Sequence, residues 1–396
     1  MSSAGMLLDG YQLTVIALAI LIMKPSLSLT SFQSSLLIDS LILGTIVGAV
    51  TVGYLSDLFG RKRIYMFNLL FFTVFGLASI VTSSVNLIVV FRILMGISIG
   101  ADYPVSNSYI AEMAPEGFRG KFLSFSAVAF VIGAVSSALV AFIFFYIHAP
   151  DSSWRYLIGI GLIPAVIVLI MRFSMPESRM WKDSKASGKS VRVRGMFNGS
   201  SGKFTILTSV VWFIYDMGAF GVGLLVPTIL SLSGLKSNSD NALITTFFLI
   251  IGLIGGIIVI MLIDRLGRKN LQIVGFLAMG ITLMLIPEFF FTALISVLAI
   301  AEFSNSFPAA TVGIFPAELA TTNFRSSAYG LAATTGKFGA VVGVLLIGSQ
   351  VTGSNLHMFI IFGIVMLIGM VLTLLLPETR NIKLDQVVKA ELGVFD

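Results

Sequence analysis

The chain has 396 residues, of which 57% are hydrophobic and only 11% are charged, and its mean hydropathy is +1.00. A soluble domain of this length carries about 25% charged residues, so this composition excludes an ordinary water-soluble enzyme or binding domain. The absence of cysteine excludes disulfides, thiol catalysis and cysteine-based metal sites.

Apolar runs of ~20 residues, the length that crosses about 30 Å of hydrocarbon, recur along the whole chain. Twelve are predicted, centred near residues 13, 45, 74, 99, 133, 164, 218, 252, 278, 301, 337 and 365. Helices are the expected spanning form, because the runs lack the alternating pattern of an outer-membrane barrel. The first run lacks a basic n-region, so no cleavable signal peptide is predicted. His148 and His357 fall in predicted loops and are not expected to be ligands.

The net charge of +6 follows the predicted topology. Basic residues cluster at every second connection between the predicted helices, and the alternate connections hold only Lys24 and Lys236. By the positive-inside rule, this asymmetry predicts a multi-pass protein of the cell membrane with both termini in the cytoplasm. The lipid bilayer is therefore an expected partner, and nucleic acid is not.

An internal repeat divides the chain into two halves. The motif "GYLSDLFGRKR" returns as "IMLIDRLGRKN", "AEMAPEGFRGK" as "AELATTNFRSS", and "MPESR" as "LPETR", at offsets of 207, 206 and 201 residues. The long polar segment 179–203 between them predicts a flexible cytoplasmic linker. We expect an all-α membrane fold of twelve helices in two pseudo-symmetric six-helix bundles, residues 1–178 and 204–396, around a central cavity.

The repeated loops predict a gate at the cytoplasmic ends of the helices. Asp57 near the end of the second helix can pair with Arg61 beyond Gly60, and that contact must break when the bundles rock. The repeat supplies a second copy, and matching charges flank both loops. The predicted gate residues are Asp57, Gly60, Arg61, Glu112, Arg119, Asp264, Arg268 and Glu318.

Several ionisable residues fall inside predicted spans, among them Asp9, Arg92, Asp102, Asp216 and Lys337. Each costs several kcal/mol in hydrocarbon unless it is paired or neutral, which indicates a functional role. Asp9 and Asp216 are related by the repeat, so each half contributes one carboxylate from its first helix. For Arg92 the expected role is structural, as the partner of Asp102 in an internal salt bridge.

The loop motifs, "FRG" after the fourth helix and the "PES" and "PET" endings resemble the major facilitator superfamily of secondary transporters across the whole chain. Within that superfamily, "IGADYPVSNSYIAE" is similar to the G-G-D-Y-P-L-S motif of the phosphate:proton symporters. The seventh-helix "VWFIYDMGAF" and the eleventh-helix "AATTGKFGAVVG" resemble the same branch.

The resemblance implies roles for individual residues. Asp9 and Asp102 would lie on the proton path, and the substrate cavity would be lined by Tyr103, Trp212, Asp216 and Lys337. Because Asp216 is also a carboxylate inside a predicted span, we expect proton coupling through Asp9, Asp102 and Asp216. Three polar binding positions of the branch are occupied here by Phe130, Phe220 and Ala309. These replacements remove hydrogen-bond donors that would hold a tetrahedral oxyanion, so the identity of the substrate stays open.

We therefore expect alternating-access transport of a small polar solute, by proton-coupled symport of an anion such as inorganic phosphate. The protein is expected to work as a monomer, with its substrate and protons as ligands and without a cofactor. A hexose or pentose permease is the main alternative, and an organic-acid:proton symporter is the next, although Gln12 replaces the second first-helix Asp of that family.

Two other classes fit the sequence less well. An intramembrane aspartyl protease needs a Gly-x-Gly-Asp partner for Asp216 in "IYDMG", and that motif does not occur. The G-x-x-x-x-G-K-[ST] run of an ATP site does not occur either, and a symporter needs none. A nutrient sensor needs a signalling domain, for which the short tails leave little room. We do not expect an enzyme.

Overall fold

The computed structural model describes residues 3–115, 117–147, 149–172, 176–186, 196–223, 238–286, 291–321, 323–348 and 358–380. The first half contains α1 (Ala4–Ser26), α2 (Ser31–Phe59), α3 (Arg61–Val81), α4 (Val85–Met113), α5 (Arg119–Tyr146), α6 (Trp154–Ile160) and α7 (Ile163–Arg172). The short helix α8 (Arg179–Ala186) follows. The second half contains α9 (Gly199–Gly223), α10 (Asn238–Leu266), α11 (Arg268–Leu285), α12 (Phe291–Thr311), α13 (Ile314–Leu319), α14 (Arg325–Gly348) and α15 (Met358–Leu374).

The helices confirm the predicted all-α membrane architecture. Every predicted span centre falls within a helix. Within the described ranges, eight helical segments are long and apolar enough to cross a membrane, and Ala4–Ile20 and Met358–Leu374 are shorter apolar helices. The sixth predicted span is built from α6 and α7, and the tenth from α12 and α13. Both histidines lie outside the described residues.

The helices of the two halves pack in matching ways. Within the first half α1 packs on α5. In the second half the repeat counterparts of these helices, α9 and α14, pack on each other in the same way. Between the halves, α2 packs on α14 and α5 packs on α10. The repeat relates α2 to α10 and α5 to α14. These four helices therefore contact each other across the two halves in two equivalent pairs.

Glycines allow α2 and α4 to approach closely. A Cβ atom added to Gly44 or Gly48 of α2 would overlap the backbone of α4, and one added to Gly96 or Gly100 would overlap the backbone of α2. Small residues at such a contact let helix backbones come together where the surrounding lipid offers no hydrophobic driving force. The glycine-rich part of α2 is thus a packing surface.

The two repeated loops turn through glycines with positive φ. Gly60 lies between α2 and α3 with φ 100°, and Gly267 lies between α10 and α11 with φ 92°. This backbone region is strained for residues that carry a Cβ, which explains why both copies of the D-x-x-G-R-K motif place glycine here. The turn directs the following arginine back toward the end of the preceding helix.

The predicted flexible linker begins with a docked helix. In α8, the Trp181 Nε1 group donates to the Asp57 carbonyl at 2.9 Å, and Lys185 Nζ donates to the Leu58 carbonyl at 2.8 Å. These residues are four apart, so they share one face of α8 and together bind carbonyls at the end of α2. Residues 187–195 of the predicted linker lie outside the described residues, and α9 begins at Gly199.

Candidate functional site

Four predicted site residues meet between the halves, and we call Asp9, Tyr103, Asp216 and Lys337 the central cluster. Tyr103 of α4 donates a short hydrogen bond to the Asp9 carboxylate of α1. Lys337 Nζ of α14 lies 3.3 Å from Asp216 Oδ2 of α9 and 5.4 Å from the centre of the Tyr103 ring. All four side chains are buried. The cluster thus places one cation between a carboxylate of each half.

Asp9 and Asp216 have different partners. Asp216 is ion-paired with Lys337, whereas Asp9 is hydrogen-bonded to a neutral phenol. The second oxygen of Asp9, Oδ1, is buried and accepts no hydrogen bond from any residue that the structure describes. The Lys337 charge also acts on Asp9. The site therefore holds two carboxylates and one ammonium group, an unbalanced set of charges at this depth.

Aromatic rings form a wall of the central cluster. Trp212, one helical turn before Asp216 on α9, packs edge-on against Tyr329, with ring centres 5.3 Å apart. Lys337 Nζ lies 4.3 Å from the centre of the Phe220 ring, so a cation–π contact adds to its ion pair. These contacts fix the lysine between aromatic surfaces and leave its charge directed at Asp216.

The three positions that lack the polar residues of the phosphate branch are half-buried. Phe220 belongs to the aromatic wall, as its contact with Lys337 shows. The Phe130 backbone on α5 packs against Gly10 of α1, next to Asp9. Ala309 lies on α12, beside the helix-internal Pro308 and against the apolar core. Of the three side chains, Phe220 is the one whose ring reaches the central cluster.

Asp102 is paired with Arg172, and the predicted pair of Asp102 with Arg92 is wrong. Arg172 Nη2 lies 3.0 Å from Asp102 Oδ1, and the guanidinium of Arg172 stacks over the Tyr65 ring at 3.4 Å. Ser106 donates to the other carboxylate oxygen at 2.7 Å. Arg92 precedes Asp102 by ten residues on the same helix, which at 1.5 Å per residue separates them by about 15 Å.

Arg92 instead binds main-chain carbonyls. Its Nε group donates to the Leu37 carbonyl of α2 at 3.2 Å, and its Nη2 group donates to the Gln12 carbonyl of α1 at 3.5 Å. The side chain is fully buried. Arg92 therefore joins α4 to α1 and α2, which keeps its role structural but changes its partners.

The predicted gate residues of the first half meet at one end of the bundle, which we call the basic end because Arg61, Arg119, Arg268 and Arg325 lie there. Arg61 Nη1 is 2.6 Å from Asp57 Oδ1, and Arg61 Nη2 is 3.0 Å from Glu112 Oε1. The same Glu112 oxygen is 3.0 Å from Arg325 Nη1 of the second half. Glu112 thus links an arginine from each half.

A second connection between the halves, which we call the latch, joins Asp57 to the first turn of α14. Asp57 Oδ2 accepts hydrogen bonds from the Ser327 N–H at 2.8 Å and from the Ser327 hydroxyl at 2.6 Å. The Ser326 N–H donates to Oδ1 at 3.3 Å. A carboxylate at a helix N-terminus is favoured both by these free N–H groups and by the helix dipole.

The second half repeats this network without a latch of its own. Arg268 lies 3.1 Å from Asp264 and 3.3 Å from Glu318, and the charge of Arg119 acts on Glu318. Neither Asp264 oxygen accepts a hydrogen bond from the described residues. At the start of α5, Gly120 and Lys121 stand where the repeat places Ser326 and Ser327. The counterpart of the Ser327 hydroxyl is therefore missing.

The glutamates of the "PES" and "PET" endings are functional residues that the sequence reasoning missed. Glu177 accepts from the Arg61 N–H at 3.0 Å, and Glu378 accepts from the Arg268 N–H at 3.0 Å. Each thereby caps the helix that follows a glycine turn. The repetition of the two endings was the available signal, because an equivalent residue in both halves indicates an equivalent contact.

Glu302 on α12 was also missed. It lies within the predicted span centred near residue 301, in "AIAEFSNSF". An ionisable residue inside an apolar span is the same signal that indicated Asp9 and Asp216. Its side chain packs on α10 against Gly252.

Comparison with known proteins supports the two-half organisation. A family profile described as "Sugar (and other) transporter" matches residues 1–197, and one described as "Major Facilitator Superfamily" matches residues 208–393. The chain is 27% identical to the inner membrane metabolite transport protein YgcS of Escherichia coli (strain K12), over 96% of this chain and 90% of that protein. It is 25% identical to the inorganic phosphate transporter PHO84 of Saccharomyces cerevisiae, over 98% of this chain and 83% of that protein.

The fold has a close match among solved structures. The structure of the proton:xylose symporter XylE of E. coli bound to 6-bromo-6-deoxy-D-glucose superposes with a TM-score of 0.84 at 21% identity, covering 98% of this chain and 97% of that chain. A structure of XylE described as inward open superposes with a TM-score of 0.70. This fold agrees with the two family profiles, which together match residues 1–197 and 208–393. On the basis of those profiles the chain belongs to the major facilitator superfamily, and it is a multi-pass membrane transporter rather than an enzyme.

Proposed function

We propose that this protein is a proton-coupled symporter of a small anion, of which inorganic phosphate is the first candidate. The observation that carries the proposal is the position of Lys337 between Asp216 of the second half and the Tyr103–Asp9 pair of the first. A lone ammonium group at the contact of two bundles attracts an anion that enters between them.

The charges of the central cluster explain why a proton should accompany the anion. With both carboxylates ionised, Asp216 holds Lys337 and the cluster carries a net negative charge that repels an incoming anion. A proton bound to one carboxylate removes that net charge, so that an anion can approach Lys337 without repulsion. The substrate and the proton therefore favour each other's binding, which is the thermodynamic requirement for coupling.

Asp9 is the preferred site of the coupling proton in this proposal. Its partner is a neutral tyrosine and one of its oxygens has no described partner, whereas Asp102 is tied to Arg172. The Asp102 carboxylate packs against Gly5, one turn before Asp9 on α1, and its charge acts on Asp9. Asp102 can therefore tune or relay the proton of Asp9, and Asp216 responds through Lys337.

Alternating access would follow from rocking of two bundles, residues 1–178 and 204–396, about the central cluster. The basic end faces the cytoplasm in this proposal, because the positive-inside rule assigns its arginines and both termini to that side. The latch and Glu112 hold the halves together there, so they must separate to release substrate into the cell. One copy of the chain contains every element that this cycle needs.

A panel of uptake measurements in proteoliposomes tests the proposal, with phosphate, hexoses, pentoses and small organic acids, each with and without an imposed pH gradient. We expect gradient-driven accumulation of an anion. Lys337→Gln should weaken its binding by about 1.5–3 kcal/mol, roughly 10–150-fold, the usual worth of a charge-assisted hydrogen bond. Lys203→Gln, which removes the same charge from an exposed site at the start of α9, should leave binding unchanged.

A neutral hexose or pentose is the second candidate. It is favoured by the match of residues 1–197 to the sugar-transporter profile and by the apolar side chains of Phe130, Phe220 and Ala309. With such a substrate, Lys337 would serve only as the partner of Asp216. Lys337→Gln would then change the pH optimum of uptake more than the affinity, and tight hexose binding without phosphate or carboxylate binding would overturn the anion proposal.

A further inference from the structure

Glu302 is an acidic residue of a membrane-spanning segment that the proposed cycle does not use. It lies on α12, and its carboxyl group packs on α10, so that a Cβ atom added to Gly252 would lie 2.9 Å from Glu302 Oε1. Gly252 therefore provides the space that the carboxyl group occupies. The carboxyl group thus lies between α10 and α12, whereas the central cluster is built from α1, α4, α9 and α14.

The surroundings of Glu302 disfavour a negative charge. It borders a cavity of about 20 Å³ whose other walls are mainly apolar, with Phe248 from α10, Met279 and Leu283 from α11, and Val222 from α9. No ion pair within the described ranges includes Glu302. An unpaired carboxylate in such a place costs several kcal/mol, and the cheaper state is the neutral acid.

Asn305 is a polar neighbour that can donate to the Glu302 carboxyl group in either state and can accept only from the protonated acid. It follows Glu302 by three residues on α12, lines the same cavity and hydrogen-bonds with it. Its Oδ1 atom is buried and has no donor among the described residues. A carboxylate only accepts hydrogen bonds, whereas a carboxylic acid has an O–H that can be donated to this oxygen. The cavity also exceeds the roughly 10–15 Å³ that one water molecule needs, so a proton can be exchanged there.

Among the titratable neighbours of Glu302, Tyr215 of α9 links it electrostatically to Asp216 of the central cluster. The α10 and α11 residues that line the cavity are not ionisable, and on its own helix the lining neighbour is the amide Asn305. On α9, Tyr215 is buried, precedes Asp216 in the chain, and lies within electrostatic range of Glu302. A change of charge at Glu302 therefore changes the electrostatic potential at α9, the helix that carries Asp216.

We propose that Glu302 is a proton-binding site of the second half, occupied by a proton in the conformation described above and distinct from the central cluster. Any rearrangement that widens the gap between α10 and α12 admits water to the carboxyl group and favours release of the proton to that water. The proposal that Glu302 is protonated does not depend on the proposed transport cycle. Its link to transport rests on the proposed function.

Infrared spectroscopy of the purified full-length chain in lipid tests the site without any substrate. At neutral pH, the Glu302→Gln variant should lose one C=O stretching band of a protonated carboxylic acid. Asp183→Asn, which makes the same kind of change at an exposed residue of α8, should retain that band. An unchanged band in Glu302→Gln overturns the proposal. Should that variant fail to fold, Asn305→Ala keeps the carboxyl group and removes its acceptor, so the band must shift; no shift overturns the proposal equally.

Transport measurements test the link separately. In proteoliposomes, Glu302→Gln should shift the pH at which phosphate accumulation is half-maximal and leave phosphate affinity unchanged, and Asp183→Asn should shift neither. Proton-driven uptake with an unshifted pH profile rejects the link. A lost infrared band in a protein that shows no proton-driven uptake rejects the proposed function and leaves the proton site standing.

Discussion

Replacing Asp57 with alanine is expected to open the basic end of the bundle much more than replacing its repeat counterpart, Asp264. Asp57 accepts two well-formed hydrogen bonds from Ser327 across the contact between the halves, at 2.8 and 2.6 Å, in addition to its ion pair with Arg61. Asp264 has its arginine within its own half and no hydrogen bond from the described part of α5. The two variants remove the same charge from equivalent positions.

The size of the difference follows from those hydrogen bonds. A hydrogen bond to a charged group contributes about 1.5–3 kcal/mol, so the two donated by Ser327 stabilise the closed basic end by about 3–6 kcal/mol. At about 1.4 kcal/mol for each factor of ten, their loss should shift the equilibrium between closed and open states by roughly 10²–10⁴. Asp264→Ala removes none of these cross-half bonds and should shift the equilibrium far less.

A cysteine introduced into this cysteine-free chain measures the opening. Ser124 is fully buried on α5, and its hydroxyl contacts the Ala310 carbonyl of the second half at 3.3 Å. Ser124→Cys is thus a near-isosteric reporter between the halves, on the Asp264 side of the bundle. Its rate of maleimide labelling in the purified protein should rise strongly with Asp57→Ala and little with Asp264→Ala. Equal rates in the two variants would refute the reasoning, because only the latch distinguishes them.

Three further outcomes are expected. Asp9→Asn should abolish accumulation of phosphate driven by a pH gradient while substrate exchange continues, because an amide cannot release a proton; surviving accumulation in proteoliposomes would contradict this. Arg172→Met should destabilise the protein by about 3–5 kcal/mol, because it leaves Asp102 buried without its partner. Addition of Asp102→Asn should restore the thermal midpoint, and a double variant no more stable than the single one would argue against the ion pair. Gly267→Ala should lower the thermal midpoint by the equivalent of about 1–3 kcal/mol, the cost of a Cβ at positive φ, and an unchanged midpoint would show that the turn tolerates the side chain.

The helices and the repeat could be predicted from sequence because both depend on local, one-dimensional signals. A run of about 20 apolar residues has few alternatives to a membrane-spanning helix. The spaced copies of the D-x-x-G-R-K motif likewise carry their own turn, since Gly60 and Gly267 alone provide the required φ. The motif by itself therefore places Asp57 next to Arg61.

Partners that come from distant helices were harder to predict. Arg172 ends α7, at one of the connections where basic residues cluster, and its side chain reaches Asp102, 70 residues earlier in the chain. Helix geometry alone could have excluded Arg92 as that partner, because ten residues of helix separate the two side chains too far. The donation of Ser327 to Asp57 depends on how the two halves dock, which no local pattern encodes.

The contact between α8 and the end of α2 places a native tryptophan where its intrinsic fluorescence can follow opening of the basic end. The indole N–H of Trp181 donates to the main-chain carbonyl of Asp57, so we expect its fluorescence to change when the basic end opens. The other two tryptophans of the chain lie elsewhere, Trp154 fully buried in the first half and Trp212 in the aromatic wall of the central cluster. Single-tryptophan variants therefore separate two signals, one that follows release at the gate and one that follows occupancy of the site, without any attached dye.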